Sequence, residues 1–440
     1  MNWIRGMAMA LLAANAAAGG DFTHWQRPAW LTELSLGVKE SHDDNVFLSG
    51  VTAVPAYAVL PGSVAALPGR SSWVTTVSPK MEFNFAPLLG DRQPIQVLSV
   101  GYAPDFVTFH DQTSESYDAQ RFSTALKAKL AGAALSADNG FVFVDGSQFA
   151  PTYPGGLYSA FASVATRERR EQIQDRANVA LQFDGEAFFF RPCASLLYYD
   201  LLTDKNNAPG YLNFTDRYDV NGGADVGYKI TSRFAVTLGW RYGHQDEEQF
   251  SFTTNSSPND YQRVLLGLEG RPWKWLDLKI QGGPDFREYA GNTATHVTPV
   301  NDLHPVKYYG EALMTAKFTP ADALTFKYKQ WQWLSSSGKV PYFDSTYDLS
   351  YHRKITTRLG LDLGGRVLIW DYTSGNLSTC RRKDLQTTAT AGLGYAVNAH
   401  LSVNAICAFD WSRNGADNIL NSQNREFDHQ LFSLGAQCKF

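Results

Sequence analysis

Apolar side chains return at every second position through most of this chain. Between residues 217 and 230, Tyr218, Val220, Gly222, Ala224, Val226, Tyr228 and Ile230 alternate with Arg217, Asp219, Asn221, Gly223, Asp225, Gly227 and Lys229. A period of two puts successive side chains on opposite sides of an extended strand, so this stretch has one apolar and one polar face. The next stretch sets Phe234, Val236, Leu238, Trp240 and Tyr242 against Thr237, Gly239, Arg241 and Gly243. Later ones set Leu276, Leu278 and Ile280 against Asp277, Lys279, Gln281, Asp285 and Arg287, and Leu401, Val403, Ala405, Cys407, Phe409 and Trp411 against Ser402, Asn404, Asp410 and Ser412. Early in the chain Leu34, Leu36 and Val38 oppose Glu33, Ser35, Gly37 and Lys39, and Val77, Met81, Phe83 and Phe85 oppose Thr76, Ser78, Lys80, Glu82 and Asn84. Residues 188–199 blur the pattern with apolar groups on both faces. The pair Gly364 and Gly365 predicts a bulge at which register shifts.

Connections between these stretches alternate in length. Short ones are predicted at residues 137–140, 184–185, 231–233, 271–275, 319–322, 353–354 and 398–400, with Asp138, Asn139 and Gly140, and Asp184 and Gly185, as hairpin turns. Long ones fall at residues 48–70, 111–117, 151–170, 203–215, 247–259, 291–305, 335–343, 373–384 and 414–426. A soluble sandwich gives no reason for the two lengths to take turns. An all-β transmembrane fold does: an up-and-down antiparallel β-barrel has short periplasmic turns and long extracellular loops. The segments number about 18, each of roughly ten to sixteen residues, where soluble strands average five or six.

The chain stops on a strand, FDHQLFSLGAQCKF, with Phe432, Leu434, Ala436, Cys438 and Phe440 on one face and His429, Ser433, Gly435, Gln437 and Lys439 on the other. A terminal strand with no later element to cover its edge closes the sheet by pairing with the first strand, near residues 33–39. The same stretch resembles the terminal β-signal of bacterial outer-membrane barrels. Ser433, Gly435, Cys438 and Phe440 fill its slots, Cys438 being the weak match, which implies recognition by barrel-assembly machinery.

Composition sharpens this picture. Aromatic residues are 13% of the chain, with 21 Tyr and 27 Phe, while mean hydropathy is only −0.27. Aromatic belts with a polar interior need that combination. A net charge of −4 gives no reason to expect nucleic acid as a partner. No apolar run reaches the ~18 to 20 residues of a spanning helix. Arg5 followed by an apolar run from Met7 and by Ala16, Ala17 and Ala18 reads as a secretory signal peptide over residues 1–18, with a lead-in over 19–30 and the barrel over 31–440. Cys193, Cys380, Cys407 and Cys438 are widely spaced, and the last hairpin's register would put Cys407 opposite Phe432, so neither a disulfide framework nor a cysteine metal site is expected.

The stretch GVKESHDDNVF, residues 37–47, resembles the opening strand of β-barrel porin families of Gram-negative outer membranes, including barrels encoded with exopolysaccharide export systems. The resemblance implies an outer-membrane channel. Asp43, Asp44 and Asn45 offer oxygens for a hard cation such as Ca²⁺, but the expected role is a turn in which their side chains bond nearby backbone, with no metal. His244, Asp246, Glu247 and Glu248 form the one enzyme-like cluster, and a solvated rim is the expected reading; no cofactor motif is present.

The expected inner wall carries mixed charge: Arg217, Asp219, Asp225, Lys229, Arg241, Asp277, Lys279, Asp285, Arg287, Lys307, Glu311, Lys317, Lys327, Lys329, Arg358, Asp362 and Arg366. A barrel of 16 to 18 strands leaves an aqueous channel, and charges are tolerated where the lumen is wet or paired. The sequence therefore predicts a non-enzymatic channel for hydrophilic solutes, saccharides being one candidate class, embedded in outer-membrane lipid. A polysaccharide export conduit is the alternative, and a lumen plugged by residues 48–70 or 151–170 is a third outcome. Nothing in the sequence sets the oligomeric state.

Overall fold

A computed structural model describes residues 27–46, 48, 71–90, 94–146, 171–200, 202, 216–247, 258–290, 303–334, 341–371, 382–416 and 427–440. The signal peptide, most of the lead-in, Cys380 and, apart from Leu48, the two candidate plug segments lie outside the described residues.

The first strands are β1 (Leu31–Asp43), β2 (Ser72–Asn84), β3 (Ile95–Tyr102), β4 (Asp105–Phe109), β5 (Tyr117–Leu130), β6 (Ala133–Asp145), β7 (Gln172–Asp184) and β8 (Phe188–Asp200). There follow β9 (Arg217–Thr231), β10 (Phe234–Glu247), β11 (Asn259–Trp273), β12 (Leu276–Tyr289), β13 (Val306–Thr319), β14 (Asp322–Trp333), β15 (Tyr342–Lys354), β16 (Leu359–Asp371), β17 (Arg382–Ala396), β18 (Leu401–Ala416) and β19 (Phe427–Lys439). Both β3 and β4 pair with β2 on one side and β5 on the other, so they share one place in the wall, which has 18 strands. Their interruption falls at Ala103 and Pro104, and Pro104 has no N–H to donate to a ladder.

The wall closes as the terminal strand requires. Leu36 pairs with Cys438, Lys39 with Gly435 and Ser41 with Ser433, and the Phe440 N–H donates to the Leu34 carbonyl at 2.9 Å. Ser41 and Ser433 hydroxyls meet across this seam at 2.8 Å. The Asp-Asp-Asn motif clasps the seam's other end: the Gln430 N–H donates to Asp44 Oδ1 at 2.7 Å and Asn45 Nδ2 donates to the Asp428 carbonyl at 2.9 Å. The expected turn is present too, since the Asn45 N–H donates to Asp43 Oδ1 at 2.9 Å.

Exposure resolves the two faces. Asp225 is 3% exposed beside Val226 at 50%, and Ser433 is 6% exposed beside Leu434 at 69%. The apolar residues therefore point outward and the polar ones into the barrel, as the alternation predicted. At the short-turn end the outward band is edged by stacked rings, Trp273 on Trp275 at 5.6 Å and Trp275 on Phe318 at 5.8 Å. Cys407 pairs with Phe432 as expected, and Cys193, Cys407 and Cys438 are free thiols.

Three local readings are corrected. Residues 137–140 are not a turn but the middle of β6, where Asp138 pairs with Ala125 on β5 and Asn178 on β7. The reversal is at residues 131–132, where Gly132 takes a φ of 80° that suits a residue without Cβ. Gly364 and Gly365 hold continuous register with Ser350 and Leu349 on one side and Thr390 and Ala389 on the other, so no bulge forms there. The turn expected at 353–354 falls at 355–358, with β15 running through Lys354, and Arg358 consequently sits in that turn and not on a wall strand.

Candidate functional site

Facing side chains on neighbouring strands tie the inner wall together. Asp225 lies between two guanidinium groups: Arg191 reaches its Oδ2 at 2.9 Å and Arg241 its Oδ1 at 2.7 Å. Arg191 also forks onto Glu269, at 2.9 and 2.8 Å. Such bidentate pairs fix geometry as well as charge.

Higher in the barrel, toward the long connections, Asp219 accepts from the Tyr261 hydroxyl at 2.9 Å and from Gln245 Nε2 at 2.7 Å. Tyr261 can lie this way because its ring rests on Gly243, where a Cβ would fall 2.2 Å from ring carbon Cζ. Arg263 donates to Asp285 at 3.1 Å and its guanidinium lies over the Tyr261 and Tyr309 rings at 3.9 and 4.5 Å. Arg287 donates to Asp285 at 2.9 Å, and to Gln245 and Asn259 at 2.7 Å each.

This network reaches the end of β14, which leans into the lumen. The Gln332 carbonyl accepts from Gln245 at 3.1 Å and from Arg287 at 3.3 Å, and the Leu334 carbonyl accepts from Arg217. Trp333 stacks on Trp331 at 4.6 Å, meets Tyr199 of β8 at 6.4 Å and packs with Tyr342, Leu368 and Trp370 of β15 and β16. Arg217 lies over the Tyr199 and Trp333 rings at 5.4 and 5.1 Å. Strands β8 and β16 stand nearly opposite in the wall, so these side chains form an aromatic bar across the external mouth.

A cavity of about 460 Å³ opens on the inner wall between β6 and β14. Its basic lining is Arg176, Arg191, Arg241, Arg263, Lys279 and Lys329, and its acidic lining is Asp138, Asp219, Asp225 and Glu311. Trp331 and Tyr309 supply ring faces. Glu269 and Asp285 pair with Arg191 and Arg263 from just outside the lining, where Arg287 also holds Asp285, so with these three groups the site has seven basic and six acidic side chains. Arg176 has no ion-pair or hydrogen-bond partner for its guanidinium among the described residues, and Arg263 Nη2 is buried without one. Lys329 is held over the Trp331 ring at 3.9 Å.

The charged residues expected on the inner wall thus separate into groups. Asp219, Asp225, Arg241, Lys279, Glu311 and Lys329 line the cavity. Arg217, Asp285 and Arg287 are buried in the network above it. Lys229 pairs with Asp184 at 3.0 Å and Asp277 with Arg271 at 2.9 Å at the short-turn end, where the Lys317 N–H donates to the Trp275 carbonyl at 2.7 Å. Lys307 lies over the Phe343 ring at 5.4 Å. Lys327 faces Asp348, which pairs with Arg366 at 2.7 Å, and Asp362 pairs with His352 at 2.7 Å. The enzyme-like cluster does not assemble: His244 is bonded to Asp260 at 2.8 Å, while Glu247, on the opposite face of β10, is buried, and Glu248 lies outside the described residues.

A closed antiparallel wall of 18 strands, an outward apolar band edged by aromatic rings and an ion-paired interior define a bacterial outer-membrane β-barrel. Among solved structures the chain is similar to OccK2 (OpdF) of Pseudomonas aeruginosa, at 10% identity and a TM-score of 0.45, with 94% of this chain and 100% of that one covered. OpdK of the same organism, solved with vanillate, is 11% identical at a TM-score of 0.42, covering 93% and 98%. The siderophore receptor PirA of Acinetobacter baumannii is 8% identical at 0.40, covering 93% and 81%. No protein-family model and no curated protein matches the chain.

Proposed function

We propose that this barrel is a channel for small hydrophilic solutes, uncharged sugars among them, with weak charge preference. The observation that supports this most is the cavity, whose basic and acidic groups interleave in nearly equal number once Glu269, Asp285 and Arg287 behind it are counted, and whose Trp331 and Tyr309 rings stand beside them. Its volume lies within the ~300 to 1,000 Å³ of small-molecule sites. A polyhydroxylated solute offers donors to carboxylates, acceptors to guanidiniums and C–H faces to aromatic rings, and carries no charge to be repelled by either sign. A polysaccharide export conduit is less well supported, because the aromatic bar crosses the mouth that a growing polymer would thread. In the same proposal Ser433, Gly435, Cys438 and Phe440 serve as the signal for barrel-assembly machinery.

The test is solute entry into proteoliposomes holding the purified full chain. Vesicles should swell in isosmotic glucose faster than empty vesicles do, with gluconate and glucosamine entering at comparable rates. Swelling no faster than empty vesicles in all three solutes would contradict the channel, and entry of gluconate or glucosamine alone would contradict the charge balance.

A further inference from the structure

We propose that the rim end of the seam between β1 and β19 is a binding site for a first-row divalent cation of the zinc type, formed by Asp43, Asp44 and His429 and oriented by Asp410. Ligating atoms of Asp43, Asp44 and His429 all lie within 4.8 Å of one another. They come from opposite ends of the chain and meet only because the wall closes. His429 Nδ1 is 2.9 Å from Asp410 Oδ2, which turns the other ring nitrogen, Nε2, toward Asp43 Oδ1 at 3.1 Å. A carboxylate on one imidazole nitrogen that leaves the other for a metal is the usual arrangement around metal-bound histidine. Two oxygens about 2.0 to 2.2 Å and a nitrogen about 2.0 to 2.1 Å from one ion require the ligands to stand close to such a separation.

Charge supports the same conclusion. Asp43, Asp44 and Asp410 surround one imidazole, and among the described residues no Lys or Arg pairs with any of the three. His429 and Asp43 side chains are only 12% and 13% exposed, so solvent screens the excess poorly. An imidazolium bridging Asp43 and Asp410 would offset the charge of two carboxylates, but it does not offset that of Asp44, whose Oδ1 takes the Gln430 N–H. A cation shared by Asp43, Asp44 and His429 does. The imidazole selects against Ca²⁺ and Mg²⁺, which take oxygen ligands, and in favour of Zn²⁺. The Ca²⁺ considered for Asp43, Asp44 and Asn45 from sequence is therefore replaced by a different ion and a different third ligand. A bound ion would fasten the seam where the Asp44 and Asn45 clasp already holds it.

The test is titration of the metal-free, tag-free full chain in detergent with Zn²⁺, followed by calorimetry. The account predicts one Zn²⁺ per barrel that His429→Ala abolishes, and an affinity that falls about 10- to 100-fold in Asp410→Asn. Asp44→Asn keeps the imidazole between Asp43 and Asp410 and so serves where His429→Ala assembles poorly; it should also lose Zn²⁺. Absence of binding to the parent, or equal binding by the parent and Asp44→Asn, would overturn the proposal.

Discussion

Replacing Asp225 with alanine should cost the barrel about 3 to 5 kcal/mol, the usual penalty for leaving a buried charge without its partner. Asp225 is 3% exposed and, among the described residues, is the one carboxylate that both Arg191 and Arg241 reach, while Arg191 retains Glu269. Without it two guanidiniums of like charge would face each other across β9, and Arg241 would keep only the Ala224 and Trp240 carbonyls. The measurement is the temperature at which the compact barrel unfolds in detergent, compared with Asp277→Ala. Asp277 pairs with Arg271 where both are more than half exposed, and its loss should cost about 1 kcal/mol or less. Equal shifts for the two variants would mean that the Asp225 pairs are solvated and do not hold the wall.

Deleting Phe440 should lower the amount of assembled barrel far more than it lowers the stability of what does assemble. The Phe440 N–H donates to the Leu34 carbonyl, the last backbone bond of the seam at the short-turn end, and a hydrogen bond of this kind is worth about 0.5 to 1.5 kcal/mol. The closing pairs from Lys439 to Leu431 would all remain. A modest local loss combined with a large fall in heat-modifiable protein in the outer membrane would locate the effect in assembly, and Cys438→Phe should be tolerated. Normal yield after the deletion would remove the proposed role of the terminal residue.

The faces of the strands were legible in the sequence because a period of two survives whatever the partner strand is. Arg217 to Ile230 read correctly for that reason, as did the pairing of Cys407 with Phe432, which follows from the register of one hairpin. The reading failed where a local signal competed with pairing. Asp138, Asn139 and Gly140 have turn chemistry, yet thirteen register pairs with β5 and twelve with β7 hold them extended, and the smaller signal of Gly132 makes the reversal. Gly364 and Gly365 likewise stay in register because both neighbours do.

What each inward charge does could not be read from its face. The pattern assigns Arg217, Arg287 and Asp285 to the lumen wall but cannot show that the end of β14 leans in to meet them. Trp331 and Trp333 alternate like any interior pair, and only closure brings them opposite Tyr199. The same holds for Arg176, Arg191 and Arg263, although Arg191 and Arg263 alternate with apolar neighbours in the sequence as the other inward charges do. His429 was visible as a polar residue on the last strand, but its companions Asp43 and Asp44 are nearly the full chain away.

Recording single channels of the purified full chain in a planar bilayer, under a gradient of KCl, tests the central claim most directly. An aqueous lumen lined by nearly equal numbers of basic and acidic groups predicts discrete conductance steps with a reversal potential close to zero, and larger steps for Trp333→Ala, which shortens the bar across the mouth. Bilayers that stay silent with both proteins, or a parent channel that passes ions of one sign almost alone, would contradict it.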